Sequence, residues 1–229
     1  MNLSLISENG QRQTLASSIA ARLRQAIMRG ELAPGAKLHV AELREKFAVS
    51  LSPLREALSR LGSEGLLEIE DLRGYRVAAI SAANLSEVIR LRTELEPFAL
   101  REAMARSDTA WRGGLFEALC ELESCPRLPS DADSGEAWEA AHRRFHFALL
   151  AKCQMPILLD FLNTLHDLSD RYRRLFLQTN PPDRDVPSEH RRIFEAANSG
   201  EVEVACALLR QHVHRTGQNV QSALLHSGR

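Results

Sequence analysis

Apolar residues return every fourth position at Leu15, Ile19, Leu23 and Ile27, which predicts an amphipathic helix that Gly30 stops. ELAPGAKL then reads as a turn broken at Pro34-Gly35. A short helix in VAELREKFAV is expected to bury Leu43 and Phe47. A second, in SLSPLREALSRLGSEGLL, carries the stripe Leu54, Leu58 and Leu61, with Ser52 as its cap and Pro53 in its first turn. LLEIE and YRVAAI alternate in polarity on either side of DLRG, the pattern of a β-hairpin. Helices followed by a hairpin within about 65 residues describe a winged helix-turn-helix.

Beyond SAAN (81–84), small and polar enough for a linker carrying a fresh helix cap, the pattern is helical throughout. SEVIRLRTELEPFALREAMA predicts one long helix, and AWRGGLFEALCELE another weakened by Gly113-Gly114. SCPRLPSDADSG reads as a loop, followed by helices in EAWEAAHRRFHFALLAKC and PILLDFLNTLHDLSDRYRRLFL. QTNPPDRDVP breaks the chain before SEHRRIFEAANSG and EVEVACALLRQHVHRTGQNVQSALL. No strand pattern follows Ile80. The expected fold is mainly α: a winged helix-turn-helix over residues 1–80, then an all-α helical bundle over 81–229.

Composition narrows the classes. With 44% hydrophobic residues, 229 residues suffice for one large or two modest domains. The first residues lack a basic segment followed by an apolar core, so no signal peptide is expected, and no apolar run approaches the roughly 18 residues of a membrane span. Cys120, Cys125, Cys153 and Cys206 are scattered without a second close pair, which disfavours a thiolate zinc site and fits reduced thiols in the cytoplasm. Residues 1–80 carry 11 basic and 9 acidic side chains, the remainder 18 and 21. That bias is too weak to imply nucleic acid, so a DNA-binding reading has to rest on local placement of basic groups.

Such placement exists. In a helix-turn-helix the start of the second helix enters the major groove. Here Ser50 and Ser52 offer hydroxyls, and Arg55 lies one turn in, able to reach guanine or a phosphate. Arg73 and Gly74 mark the hairpin tip, with Arg76 just beyond. The run LRQAIMRGELAPGAKL, LREKFAVSLSPLREALSRLGSEGLLEI and GYRV resembles the winged helix-turn-helix of the GntR family of bacterial transcription regulators, over residues 15 to 80. The resemblance implies operator contacts from Ser50, Leu51, Ser52, Pro53, Arg55, Arg73 and Gly74. Leu51 stands where the family commonly has Arg, so the resemblance also implies an altered operator, since leucine can meet only a thymine methyl.

The second half brings candidate chemistry. His142 and His146 lie four apart and share one helix face; His190 and His212 follow on later helices. Each is able to project inward where helices meet, as bundle metal sites do. RTELEPFALREA, HRRFHFALL and SEHRRIFEAANSGEVEVACALLRQHV resemble the effector domain of the FadR subfamily, with Arg92 and Glu96 at characteristic positions; HRRFH, RYRRL and EH are most similar to its CsiR-like branch. A metal-binding subset uses Asp-x-x-x-His plus two later histidines. His142 replaces that aspartate, and His146, His190 and His212 fall on the other places. The resemblance thus implies a divalent transition metal, zinc or nickel foremost.

An open position on a metal binds carboxylates, and Arg92, with Arg171 behind it, is a candidate partner for the rest of a small acid. The alternative for Arg92 is an i,i+4 pair with Glu96. The resemblance implies a C4–C5 dicarboxylate or related hydroxy acid as effector, a homodimer held by the helical half, and a repressor on a palindromic operator. Two other readings stay open: a FadR-type regulator without metal, and a zinc hydrolase. The hydrolase is disfavoured, because Arg143, Arg144 and Phe145 fill the interval where a catalytic zinc helix needs Glu.

Overall fold

The computed structural model describes residues 14–70, 74–126, 132–177 and 184–226. The chain forms two compact units, residues 1–80 and 81–229.

In the first unit, helix α1 spans Leu15–Met28, with the Thr14 hydroxyl accepting the Ser17 N–H at 3.1 Å. Ile19, Leu23 and Ile27 are buried as expected, whereas Leu15 is exposed and Ala16 takes its place. Each step of four overshoots a turn by about 40°, so three steps carry Leu15 off the buried face. Gly30 ends the helix at φ 74°, a conformation a Cβ disfavours. The predicted turn holds a strand as well: β1, Lys37–Leu38, is too short to show alternation in sequence.

Helix α2 (Val40–Phe47) buries Leu43 and ends on Ala48 in the left-handed region. Phe47 is only half-buried, its ring covered by the Arg22 guanidinium at 4.5 Å. Helix α3 is Leu51–Ser63, with Leu54, Leu58 and Leu61 fully buried. Its N-cap is Ser50 and not Ser52, and no side-chain bond is made there; Ser52 already lies inside the first turn. Strands β2 (Leu67–Glu70) and β3 (Gly74–Val77) pair antiparallel with Ile69 opposite Tyr75, and β1 adds to the far side of β3 in the order β1-β3-β2.

The second unit is helical, with no strand among its described residues: α4 (Ala82–Met104), α5 (Thr109–Ser124), α6 (Ala132–Leu149), α7 (Pro156–Leu177), α8 (Val186–Asn198) and α9 (Val202–His226). The expected linker is instead the start of α4, capped by Ser81. Tyr172 of α7 ties this cap down: its hydroxyl accepts the Ser81 N–H at 3.1 Å and lies 3.0 Å from Asn84 Oδ1. α6 begins at Ala132, inside the stretch read as a loop, and stops at Leu149, short of the expected Cys153. Gly113 and Gly114 sit on the exposed face of α5, so their weak propensity is offset by Trp111, Leu115 and Leu119 on the buried face.

α4 packs along α9 and α7, α8 packs on α9 and α5, and α5 packs on α6, around Leu100, Leu115, Phe145, Leu149, Leu162, Ile193 and Leu209. α9 approaches α4 closely because Gly217 leaves room for Ile89, which any Cβ would overlap. Pro97 inside α4 lacks the N–H that would bond the Thr93 carbonyl; Arg210 of α9 supplies the donor from Nε at 3.3 Å. Among the described residues no helix is long and apolar enough to cross a membrane.

Candidate functional site

At the start of α3, Ser50, Ser52 and Arg55 are exposed, Leu51 and Pro53 are half-buried, and Leu54 anchors the turn beneath them. This presents two hydroxyls and one guanidinium on one helix end. Arg73 lies outside the described residues. Gly74 opens β3 at φ 101°, and Arg76 donates to the Gly35 carbonyl at 2.7 Å, bracing β3 against the preceding turn.

In the second unit four buried imidazoles converge. His142 and His146 come from α6, His190 from α8 and His212 from α9, and one ring nitrogen of each lies within 4.8 Å of the others. Ring centroids are 4.5 Å apart for His142–His146 and for His190–His212, and 5.1 Å for His142–His190. The i,i+4 spacing on α6 supplies two of the rings, and the packing of α8 on α9 brings the other two.

Burial pushes the titration of His142, His190 and His212 well below the usual imidazole value, with nearby arginines and neighbouring rings adding repulsion, and it lowers that of His146 against the opposing pull of Glu96. All four are therefore neutral with a lone pair available. Both His146 nitrogens and Nε2 of His190 have no hydrogen-bond partner, although an unpaired buried polar atom costs about 1–3 kcal/mol. A divalent ion would take up such lone pairs. Neutral imidazoles in a four-membered set, with orphaned nitrogens, fit a transition metal such as zinc.

Carboxylates orient the rings from behind. Glu189 Oε2 lies 2.8 Å from His212 Nδ1, which places the proton on Nδ1 and leaves Nε2 facing the cluster. Glu96 faces His146 Nδ1 at 3.4 Å without hydrogen-bond alignment and His166 Nε2 at 3.1 Å. Burial opposes ionisation of Glu96, yet the Arg92 charge, with His166 and His146, holds its carboxyl well below the usual range. His142 differs: its Nδ1 lies 3.4 Å from Arg173 Nη2, so coordination through Nε2, which needs a proton on Nδ1, requires that contact to open.

Glu96, His146 and His166 form a second convergent set. Its cation is already present in the chain: Arg92 reaches Glu96 at 2.5 Å, Ser169 at 2.6 Å and the His166 ring at 3.4 Å.

A cavity of about 600 Å³ opens onto the four-histidine set through His142, His190 and His212. Neither Arg92 nor Arg171, the effector contacts expected from sequence, lines it; both are buried elsewhere, Arg92 in the pair with Glu96. Arg173 and Arg184 line it instead. Arg173 bonds Glu139 at 2.7 Å and Asp170, and Arg184 bonds Thr216 at 2.5 Å and Glu189 at 3.0 Å. His166, Arg184 and Trp138 carried no motif in sequence, and Arg173 and Glu189 lay within RYRRL and EH without being assigned a role. On α7 Arg173 lies seven residues after His166 and shares its helix face, which Arg171 does not.

Residues 15–77 match the family model "Bacterial regulatory proteins, gntR family", and residues 87–215 match the FCD domain. The uncharacterized HTH-type transcriptional regulator BphR of Paraburkholderia xenovorans (strain LB400) is 31% identical over 84% of this chain and 79% of its own. The HTH-type transcriptional repressor GlaR of Escherichia coli (strain K12) is 30% identical over 88% of this chain and 94% of its own. Among solved structures, E. coli McbR/YncC shares the fold with a TM-score of 0.76 at 24% identity, covering 94% of this chain and 99% of that one.

Proposed function

Because the chain belongs to the GntR family of bacterial regulatory proteins and carries an FCD domain, we propose that it is a repressor released from DNA by a small carboxylate bound at a metal ion. The chain is a DNA-binding transcriptional regulator and not an enzyme. Members of this family bind DNA operators and typically dimerise.

The convergence of four buried, neutral imidazoles carries the metal reading. His146, His190 and His212 hold the ion, with His142 completing the set once it parts from Arg173; zinc or nickel suits such ligands. When bound, the ion supplies a Lewis-acidic position for a carboxylate oxygen. Around the site Arg92 faces Glu96, Arg173 faces Glu139 and Asp170, and Arg184 faces Glu189, so the ion's charge is left for an anion to meet.

In the same reading residues 1–80 bind a palindromic operator, with Ser50, Leu51, Ser52, Pro53 and Arg55 in the major groove and Arg73 and Gly74 at the wing. Residues 81–229 bind effector and form the homodimer, in the cytoplasm. The CsiR-like placement rests on HRRFH and RYRRL. The acid weakens DNA binding only through differential affinity for two arrangements of the paired heads, about 1–3 kcal/mol in typical cases.

A second reading, in which the imidazoles bind the acid without metal, is favoured by the Arg173–His142 contact, since a proton on Nε2 of His142 is then a donor. One experiment separates them. DNA from upstream of the gene is titrated with chelated protein and with zinc-loaded protein, each alone and with lactate or 3-phenyllactate. Release by the acid only in the loaded protein supports the metal reading, release without metal the second, and equal affinity throughout contradicts both.

A further inference from the structure

Resting on the reading of the histidine set as a carboxylate-binding metal site, we propose that its acid carries one carboxylate head and an apolar body, selected by Trp138. The wall next to the imidazoles is apolar. Trp138 stacks on His142 with centroids 4.7 Å apart and planes within 20°, so its ring continues the surface of the cluster outward. Leu122 in the last turn of α5 and Pro126 just after it, with Val186 and Pro187 at the start of α8, complete that wall. About 600 Å³ is also far more room than a four- or five-carbon acid fills.

The polar groups argue against a second carboxylate. Three arginines line the cavity, and each already faces an acid: Arg173 faces Glu139 and Asp170, Arg184 faces Glu189, and Arg191 faces Glu123 at 2.7 Å. A second carboxylate would have to displace one of these partners. The unpaired Nε atoms of Arg173 and Arg184 are buried, so they add no free charge at the cavity surface. The anionic requirement is thus met by one head at the ion, and the remaining volume is lined for an apolar substituent whose burial is favourable.

Three 2-hydroxy acids with the same head test this on the zinc-loaded full-length protein by calorimetry: lactate, 2-hydroxyglutarate and 3-phenyllactate. The expected result is 3-phenyllactate bound roughly ten- to a hundred-fold more tightly than the other two, from burial of one phenyl group. Trp138→Ser should bring the ratio of 3-phenyllactate to lactate affinity down to about one. Val186→Thr, isosteric but polar, should weaken 3-phenyllactate alone and serves if the Trp138 variant does not fold. Equal or tighter binding of 2-hydroxyglutarate overturns the apolar body and leaves the metal–carboxylate site standing. Preference for 3-phenyllactate that survives both substitutions overturns this wall as its source. Binding of none of the three overturns this inference and the carboxylate site together.

Discussion

Glu189 holds His212 through a 2.8 Å contact from Oε2 to Nδ1, while the very next residue, His190, points its own ring into the same cluster. One turn of α8 therefore delivers both an imidazole and the carboxylate that fixes the tautomer of another. Glu189→Gln should weaken zinc binding by roughly ten- to a hundred-fold, measured by competition with a chromophoric chelator. Unchanged affinity would show that the His212 ring needs no such partner.

Metal-free protein should lose stability in acid. In the folded chain burial holds His142, His190 and His212 well below 6.5, and brings His166 down to about 3. Unfolding returns each to about 6.5, so between those values the unfolded chain binds more protons. Stability is thus full above about pH 6.5 and falls as pH drops below it, each ring contributing up to ~1.4 kcal/mol per pH unit. The urea midpoint of chelator-treated protein should be lower at pH 5.5 than at 7.5; equal midpoints would mean the rings do not stay neutral.

Four imidazoles leave the whole charge of a dication for its ligand, whereas an aspartate cancels one unit. At equal zinc occupancy His142→Asp should therefore weaken 3-phenyllactate binding by about 1–3 kcal/mol, for charges some 5 Å apart at an effective dielectric near 20. Equal affinity in calorimetry would remove the electrostatic argument.

Arg55 projects exposed from the first turn and a half of α3. Arg55→Ala should weaken operator binding by roughly 1–3 kcal/mol and narrow the gap between operator and scrambled DNA, read by fluorescence anisotropy. A variant that discriminates like the parent would assign base reading to other residues.

Helix phase and breakers made much of the fold legible. α7 runs from Pro156 to Leu177, the stretch its periodicity marks, and Leu54, Leu58 and Leu61 are buried at the spacing that predicts them. Features set by long-range packing were not legible. β1 is two residues long and exists only because Lys37 and Leu38 find Arg76 and Tyr75 on β3. Ser50 and Ser52 are both good caps, and only the path of the chain chooses between them.

At the site, the histidines announced themselves by spacing and resemblance, but the groups around them did not. Arg92 and Arg173 are both arginines on polar-looking helices. One faces a partner on its own helix at i,i+4, and the other reaches Glu139 across to α6 beside the cavity. Nothing local distinguishes them; the packing of α6 and α7 does.

Metal content tests the central claim most directly. Elemental analysis of the purified protein, alongside zinc titration of the chelated form, should give one divalent ion per chain, absent from His146→Ala and His190→Ala variants that keep their helical content. A parent chain that takes up no ion saturably, or variants that bind it as the parent does, would contradict the account.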